Sequence, residues 1–517
     1  MPIQNTTFAQ TVSNARLSLL RSPYFFGVLG GCVTALAWDP WGVGSAAVIG
    51  IALWWHGLSH TNSWRQSGGV SLLFGLCWLS LACAWMRVFG PVPYIALIAI
   101  EGGLIGALGA LLWFARNAPW RWLLVPSAWV TLEATRAAVP FGGFAWAQLH
   151  HSQGTGSWLL AYAPWLGSWG TSMAIMVLGM GLAESIVNRA YWTRLILATV
   201  AVIGVGIGLS HVPAPLTTAS GPPLTVGITQ SGDVRHTFAA GISAVDPKNQ
   251  RVIDILAAQW ERAPLPRVDL LVWPENSFDN DPDAPNQARL KQDRDTLLAR
   301  IGASTVFVGQ NGHTADGELT NVIGVYQSGQ LVTSIAKYKL VPFGEFFPYP
   351  KLLGWVPSAQ LIGHMVPGHG PDSVAVAQTR VGAVICYESA FSSMISQAMA
   401  KNPGVLVVST NNASFGSTAM KDQHVAISRF RAVEYGRPVV HASLSGPSAF
   451  ITPDGRIHQR TQYLEGASLQ QSFQPRTGFT PAAYLNPVLP WLAGAFSVCF
   501  LGLGVARRRL GHHRQAI

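Results

Sequence analysis

Charge is what this sequence has least of. Only 11% of its 517 residues are Asp, Glu, Lys or Arg, against roughly 25% in an average globular chain. With 49% apolar residues, 20 tryptophans and a mean hydropathy of +0.28, that shortage excludes a disordered protein, which needs high charge and few aromatics. It also excludes a wholly soluble enzyme. Cysteine is scarce too: Cys32, Cys77, Cys83, Cys386 and Cys499 make no disulfide framework, and all but Cys386 lie inside apolar runs, where Cys acts as a small hydrophobe. There is no internal repeat, no low-complexity tract, no metal-site spacing, no Walker loop and no dinucleotide glycine fingerprint, so no metal and no cofactor are expected. The histidine pairs His150–His151 and His512–His513 have no Cys or carboxylate nearby and read as interfacial or tail residues.

What the chain does have is long apolar runs. A helix needs about 20 mostly apolar residues to cross a bilayer, and eight candidate spans are expected at about Pro23–Trp38, Val43–Leu58, Gly69–Val88, Tyr94–Phe114, Trp122–Val139, Trp165–Val187, Trp192–Ser210 and Leu485–Val505. The first two are short for the task. No small-residue cleavage site follows the first run, so the N-terminus does not read as a signal peptide. The formal net charge is +10, which a nucleic-acid binder would also show, but here the arginines fall in short gaps between apolar runs. With the N-terminus in the cytoplasm, Arg16, Arg21, Arg65, Arg116, Arg121, Arg189, Arg194 and the tail arginines Arg507, Arg508, Arg509 and Arg514 all lie inside, and the short outside loops hold only Arg87, at a span edge. That is the positive-inside asymmetry, and no nucleic-acid partner is expected. Residues 1–216 are read as a membrane domain of about seven helices, 217–480 as an extracytoplasmic domain, and 481–517 as the last span and a basic tail. Glu133 and Arg136 lie on one helix face and could pair, either to lock helices together or to serve function. The loop Phe141–Trp146 reads as a lipid-accessible mouth or an aromatic belt.

After the linker Thr217–Pro223 the pattern changes. Strands are expected at Leu224–Gln230, Asp269–Trp273, Thr305–Val308, Val322–Tyr326, Ser373–Ala377, Val381–Cys386 and Val405–Ser409, with helices at Pro247–Arg262, Asn286–Ile301, Ala390–Ala400 and Asp422–Gly436. Alternating strands and helices over this length predict an α/β sandwich.

Three stretches place a reactive group just after a buried strand or in a compact apolar string. In Leu270–Ser277, Glu275 leaves an apolar strand beside Trp273 and Pro274, where desolvation would raise its pKa and suit it to general-base work. Lys337–Glu345 carries Lys337, Lys339 and Glu345. In Val384–Ser389, Cys386 ends a strand where a helix opens, a place expected to favour a thiolate. A thiol, a carboxylate and a cation are the minimum for acyl transfer through a thioester.

The order Glu…Lys…Cys resembles the nitrilase, or carbon–nitrogen hydrolase, superfamily, which uses such a triad on an αββα sandwich. The strings WPEN at 273–276, K-x-x-L-V-P-F-G-E at 337–345 and ICYE at 385–388 resemble more narrowly the apolipoprotein N-acyltransferase family, as does the Gly143–Trp146 loop followed by Ser152–Gln153. The resemblance implies a nitrilase-like domain on the periplasmic side of the bacterial inner membrane, spliced between the last two of eight spans. It implies Cys386 as nucleophile, Glu275 as base, Lys337 rather than Lys339 as oxyanion stabiliser with backbone N–H groups near Tyr387, and Glu345, Tyr387 and Glu388 as supporting residues. The implied partners are a membrane phospholipid as acyl donor and a diacylated lipoprotein as acceptor, served by a monomeric integral membrane protein. A membrane-anchored nitrilase-type amidohydrolase is the alternative. The chain departs from the family at Ser414, at Ser445–Ser448, and in having no tryptophan between Gln230 and Gln259.

Overall fold

The computed structural model describes residues 22–187, 216–233, 268–278, 281–284, 287–301, 303–348 and 364–515, with a few isolated positions between them. The expected span Trp192–Ser210, the expected helix Pro247–Arg262, and Arg16, Arg21, Arg189 and Arg194 fall wholly or largely outside these residues, as do the side chains of the tail arginines.

The apolar runs before residue 188 fold as helices α1 (Pro23–Ala35), α2 (Ala46–Ser59), α3 (Trp64–Ala82), α4 (Pro91–Leu112), α5 (Arg121–Arg136) and α6 (Ala163–Val187). Their boundaries follow local chemistry. Ser63 caps α3 by accepting from Gln66 N, and Pro91 opens α4, where its missing N–H removes nothing. Gly167 kinks α6 with φ 66 at the point where the Asn486 side chain takes the space a Cβ would need. Among the described residues two helical stretches, Pro91–Leu112 and Trp158–Ser185, are long and apolar enough to cross a membrane. Pro23–Ala35, Ala46–Ser59 and Leu489–Gly504 are apolar but shorter. The first two of the eight expected spans thus become helices of 13 and 14 residues, about 20 Å of rise against a hydrocarbon core of about 30 Å. Prolines, turns and 3₁₀ segments interrupt apolar runs whose composition alone reads as continuous.

The helices run alternately toward and away from the rest of the chain. The carbonyls of Asp39, just past α1, and of Ala82, at the end of α3, both meet Gln423. At the other pole, Arg116, past α4, donates to the carbonyl of Thr61, past α2, and Arg121, opening α5, pairs with Glu184 near the end of α6 at 3.1 Å. Glu133 and Arg136 do not pair. Arg136 instead binds Glu101 on α4, while Glu133 accepts from Leu149 N at 2.7 Å. The reason is tertiary: α4 brings a buried carboxylate to Arg136 from 35 residues away.

Beyond the linker lie two six-stranded sheets. One orders β12 (Ala467–Phe473), β1 (Leu224–Gln230), β2 (Leu270–Phe278), β3 (Thr305–His313), β4 (Leu319–Gln327) and β5 (Gln330–Ala336). The other orders β11 (Ile457–Arg460), β10 (Ala449–Ile451), β9 (Val439–Ser443), β8 (Val405–Thr410), β7 (Thr379–Ile385) and β6 (Asp372–Val376). Each has a parallel centre of three strands, β1–β2–β3 and β7–β8–β9, flanked by antiparallel edges.

Period-two alternation sorts the strand residues into layers. Val226, Leu270, Val272 and Phe307 pack with Val381, Ala383, Val405 and Val407 between the sheets. Their neighbours Leu271, Trp273, Val306 and Val308 face Leu290, Leu297 and Leu298 of helix α7 (Ala288–Ile301). Val384, Leu406 and Val408 face helices α8 (Ser392–Met399) and α9 (Met420–Tyr435). The result is an αββα sandwich. Helix α10 (Leu489–Gln515) returns along α5, with Thr131 and Ser497 in contact.

The apolar core of the bundle does not stop at the sandwich. It continues into Tyr387, Ala390, Phe391, Met394, Met420 and Ile427. The pair His150–His151, read from sequence as interfacial, is buried at this junction. His151 lies 3.3 Å from Arg431, and His150 packs on Phe430 with ring centroids 5.2 Å apart. The fold of the loop after α5 carries both rings under α9.

Candidate active site

Strand β2 carries Glu275 to the rim of the inter-sheet core, where Asn276 turns the chain at φ 55. The neighbouring strand lets it pass because position 309 is glycine: a Cβ there would collide with Pro274 O. Glu275 is 3% exposed and is held by three donors, Lys337 Nζ at 2.9 Å, Asn321 Nδ2 at 2.8 Å and Asn411 N at 2.7 Å.

Lys337 follows β5 directly, its N–H continuing the ladder to Asn321 O at 2.8 Å. Its ammonium bridges Glu275 and Glu345, both at 2.9 Å. Burial alone would lower this ammonium; the two carboxylates outweigh burial and hold it well above the ordinary lysine value. Glu345 is folded back by the turn Val341–Gly344, with Phe343 at φ 60, and it also accepts from Asn321 and from Val341 N. Lys339 points elsewhere, donating to Gly142 O at 2.7 Å and lying over Phe391.

Cys386 follows β7 in a left-handed conformation, φ 52, opening a single 3₁₀ turn Cys386–Ala390. The expectation of a thiolate at a helix N-terminus is overturned. The turn has five residues, too few for a macrodipole that builds over aligned peptides. Burial, and next the Glu275 carboxylate, push the thiol up to about 12, against the opposing influence of Lys337 and a hydrogen bond from Thr410. The sulfur therefore rests as a thiol within the electrostatic reach of both Glu275 and Lys337.

The two residues after it anchor the site on opposite sides. Glu388 accepts from Ile385 N at 2.9 Å, Tyr338 N at 2.8 Å and Lys339 N at 3.2 Å, tying the cysteine turn to the lysine loop. Burial pushes its carboxyl up to about 7 despite these bonds. Tyr387 turns toward the helical bundle: its hydroxyl donates to Gly143 O at 3.0 Å, and its ring stacks on Trp146 at 6.5 Å.

All six residues singled out in the sequence lie in one region, linked by the contacts above. Sequence reasoning missed Asn321, which braces both carboxylates, and Asn411, Thr410 and His424, which contact Glu275, Cys386 or their neighbours. Asn321 had one signal, an amide next to the apolar run Val322–Tyr326. The stretches around the departures at Ser414 and at Ser445–Ser448 take separate roles. Asn411 serves Glu275, and Phe415 packs edge-on against Trp85 and Phe89. Ser448 lies in a buried polar knot with Gln230 and Thr461. Among the described residues no group of three His, Cys, Asp or Glu side chains is placed to hold a metal ion.

Two family models match the chain in succession. Residues 30–181 match the apolipoprotein N-acyltransferase N-terminal domain, and residues 262–469 match the carbon–nitrogen hydrolase domain. Along nearly its whole length this chain is similar to the apolipoprotein N-acyltransferase family. Relatives of that name from Photobacterium profundum and Ralstonia nicotianae are 27% and 28% identical to it. The alignments cover 94% of this chain and 95% of the first relative, and 99% and 98% for the second. An amidase from Nesterenkonia sp. is 16% identical with a TM-score of 0.34, covering 50% of this chain and 92% of its own. The relatives and the carbon–nitrogen hydrolase match support an acyltransferase enzyme, with the hydrolase-type sandwich joined to an apolar helical bundle.

Proposed function

We propose that this chain moves a fatty acyl group from a membrane phospholipid, through a Cys386 thioester, to the N-terminal amine of a diacylglyceryl-cysteine on a bacterial lipoprotein. The observation that carries this reading is the seam at the thiol. Cys386 and Tyr387 sit where the sandwich meets the apolar bundle, with Gly142, Gly143 and Trp146 of the bundle side bonded or stacked on Lys339 and Tyr387. A donor with its acyl chains in the bilayer would reach a thiol so placed.

In the first step Glu275 takes the Cys386 proton and the sulfur attacks the ester carbonyl of the phospholipid. Lys337 and backbone N–H groups near Tyr387 steady the oxyanion; the carbon–oxygen bond breaks and a lysophospholipid leaves with the proton. The acceptor amine then attacks the thioester, the carbon–sulfur bond breaks, and an amide forms as Cys386 recovers its proton through Glu275. With the resting thiol up at about 12, the reaction needs a base within reach, and Glu275 supplies it.

For the topology we infer eight spans in the bacterial inner membrane, a monomeric chain, and the sandwich of residues 217–480 on the periplasmic side. The alternating helix directions support it: Arg65, Arg116 and Arg121 cluster at the pole away from the sandwich, where the positive-inside rule puts the cytoplasm.

The test uses the full chain in phospholipid nanodiscs without acceptor. Intact-mass spectrometry is expected to show one fatty-acyl adduct, absent in Cys386→Ala and discharged by a diacylated lipopeptide with formation of N-acylated product. Absence of the adduct refutes the mechanism. Release of free fatty acid without N-acylated product points to the hydrolase instead.

A further inference from the structure

Helix α9 places two buried polar residues side by side at this seam, and the acyl-transfer reading uses neither. Gln423 is 2% exposed, and its amide is fully engaged. Its Oε1 accepts from Trp85 Nε1 at 3.2 Å and from Trp146 Nε1 at 2.8 Å. Its Nε2 donates to Asp39 O and Ala82 O, both at 2.9 Å. One side chain of the sandwich thus gathers three separate segments of the helical bundle, at Asp39, Ala82–Trp85 and Trp146.

His424, the next residue, is fully buried and faces the cysteine turn. Its Nε2 lies 3.2 Å from Cys386 O and 2.9 Å from Ser389 Oγ, and its Nδ1 lies 3.2 Å from the Asn412 amide. Asn412 Nδ2 is buried without a partner among the described residues. Turning that amide over lets Nδ2 donate to His424 Nδ1 and puts the ring proton on Nε2, aimed at Cys386 O, with Thr410 Oγ1, 3.2 Å from the same amide atom, then accepting instead of donating. The His424 ring also meets Trp146 edge-on at 5.4 Å, and Trp146 stacks on Tyr387. The left-handed Cys386 is therefore gripped from two directions by groups that share Trp146.

We propose that Gln423 and His424 are positioning residues that couple the bundle tryptophans Trp85 and Trp146 to the backbone of the Cys386 turn, so that the sulfur is aligned only while the bundle is seated on the sandwich. A strained turn persists only where its surroundings over-determine it, and here the surroundings come from both domains. The proposal rests on the acyl-transfer reading for its consequence but not for its structural content, and the experiment separates the two.

Gln423→Leu, near-isosteric and without hydrogen bonds, is compared with the unmodified full chain. Two quantities are read: acyl transfer in phospholipid nanodiscs, and alkylation of Cys386 by iodoacetamide in detergent micelles free of phospholipid. A sulfur freed from its alignment transfers more slowly, by roughly 10–100-fold in kcat, with KM for phospholipid changed by less than about twofold. It is also less shielded and alkylates faster, by about fivefold or more. A merely structural role shows instead as a separate fast-alkylating phase sized by the unfolded fraction, while the folded remainder alkylates at the unmodified rate and transfer falls only with the folded fraction. Trp146→Phe, which keeps an aromatic ring and deletes one N–H, is the second variant should Gln423→Leu fail to fold, and the same pair of changes is expected at smaller size. Alkylation within twofold of the unmodified protein, in whichever variant folds, overturns the coupling. Because alkylation needs no acyl donor, it reads the coupling even where a missing acyl adduct has refuted the transferase mechanism.

Discussion

Glu388 yields the sharpest test of how burial governs this site. Its carboxyl is fully buried and raised from 4.5 to about 7 by burial. A carboxyl raised in the folded state favours folding while it is protonated, below the unfolded value, and that contribution is lost as pH rises through the folded value. The window is therefore about pH 4.5 to 7, and a displacement of about 2.5 units at 1.36 kcal/mol each comes to about 3 kcal/mol. Replacing Glu388 with Gln removes the titration while keeping an acceptor for Tyr338 N and Lys339 N. Histidines His424 and His441, held low by burial, act in the opposite sense over part of the same window. For that reason the informative quantity is the difference between variant and unmodified chain, in which their contributions cancel. That difference is expected to shift in favour of Glu388→Gln by about 3 kcal/mol from pH 4.5 to 7, or roughly 5–10 °C in melting temperature for a domain of this size. At every pH the variant also carries a constant penalty of about 1–3 kcal/mol, because its amide N–H faces the N–H of Ile385. Melting curves in detergent at half-unit pH steps measure it. A difference that stays flat across the window would refute the burial argument.

Three further outcomes follow from the same geometry. Because Cys386 is pushed up to about 12, its alkylation by iodoacetamide should climb about tenfold per pH unit from pH 7 to 10; a plateau near pH 8.5 would contradict that. Asn321→Leu removes a buried donor from both Glu275 and Glu345, and should reduce acyl transfer by roughly 10–100-fold while also costing about 1–3 kcal/mol of stability, seen as a lower melting temperature. Arg431→Met strands Glu434, which Arg431 meets at 2.7 Å with both side chains fully buried. It also drops the bonds to Ser168, Ser389 and Ala390, and should destabilise the junction by about 3–5 kcal/mol, seen as lost yield and a lower melting temperature. Arg431→Lys should not rescue it, since one ammonium cannot replace the guanidinium fork.

Much of the sandwich was readable from sequence because its central strands are buried on both faces, and buried strands read as unbroken apolar runs. Leu224–Gln230 was found with its observed limits, and β2, β3, β4, β7 and β8 were found short at one or both ends. The strands β5 and β9–β12 were missed. β5, β11 and β12 are short or partly exposed edge strands in which polar residues interrupt the pattern, and β9 and β10, though buried, are brief runs beside Gly and Pro. Apolar composition was also readable in the bundle, but composition carries no information on where a helix breaks. This is why α1 and α2 came out shorter than the runs that encode them.

The sequence by itself singled out the residues that the structure gathers at the candidate site. Glu275, Lys337, Glu345, Cys386, Tyr387 and Glu388 each stand in a short string whose local pattern, a strand end or a compact apolar loop, marks them out. Only the tertiary structure decided how those groups behave, because protonation and pairing depend on solvent exclusion and on neighbours distant along the chain. Desolvation by two sheets and a helical bundle reversed the expected thiolate at Cys386. A carboxylate on another helix claimed Arg136, and segments hundreds of residues apart met at Gln423. A sequence pattern reports neighbours a few residues away, whereas burial and charge pairing act through space.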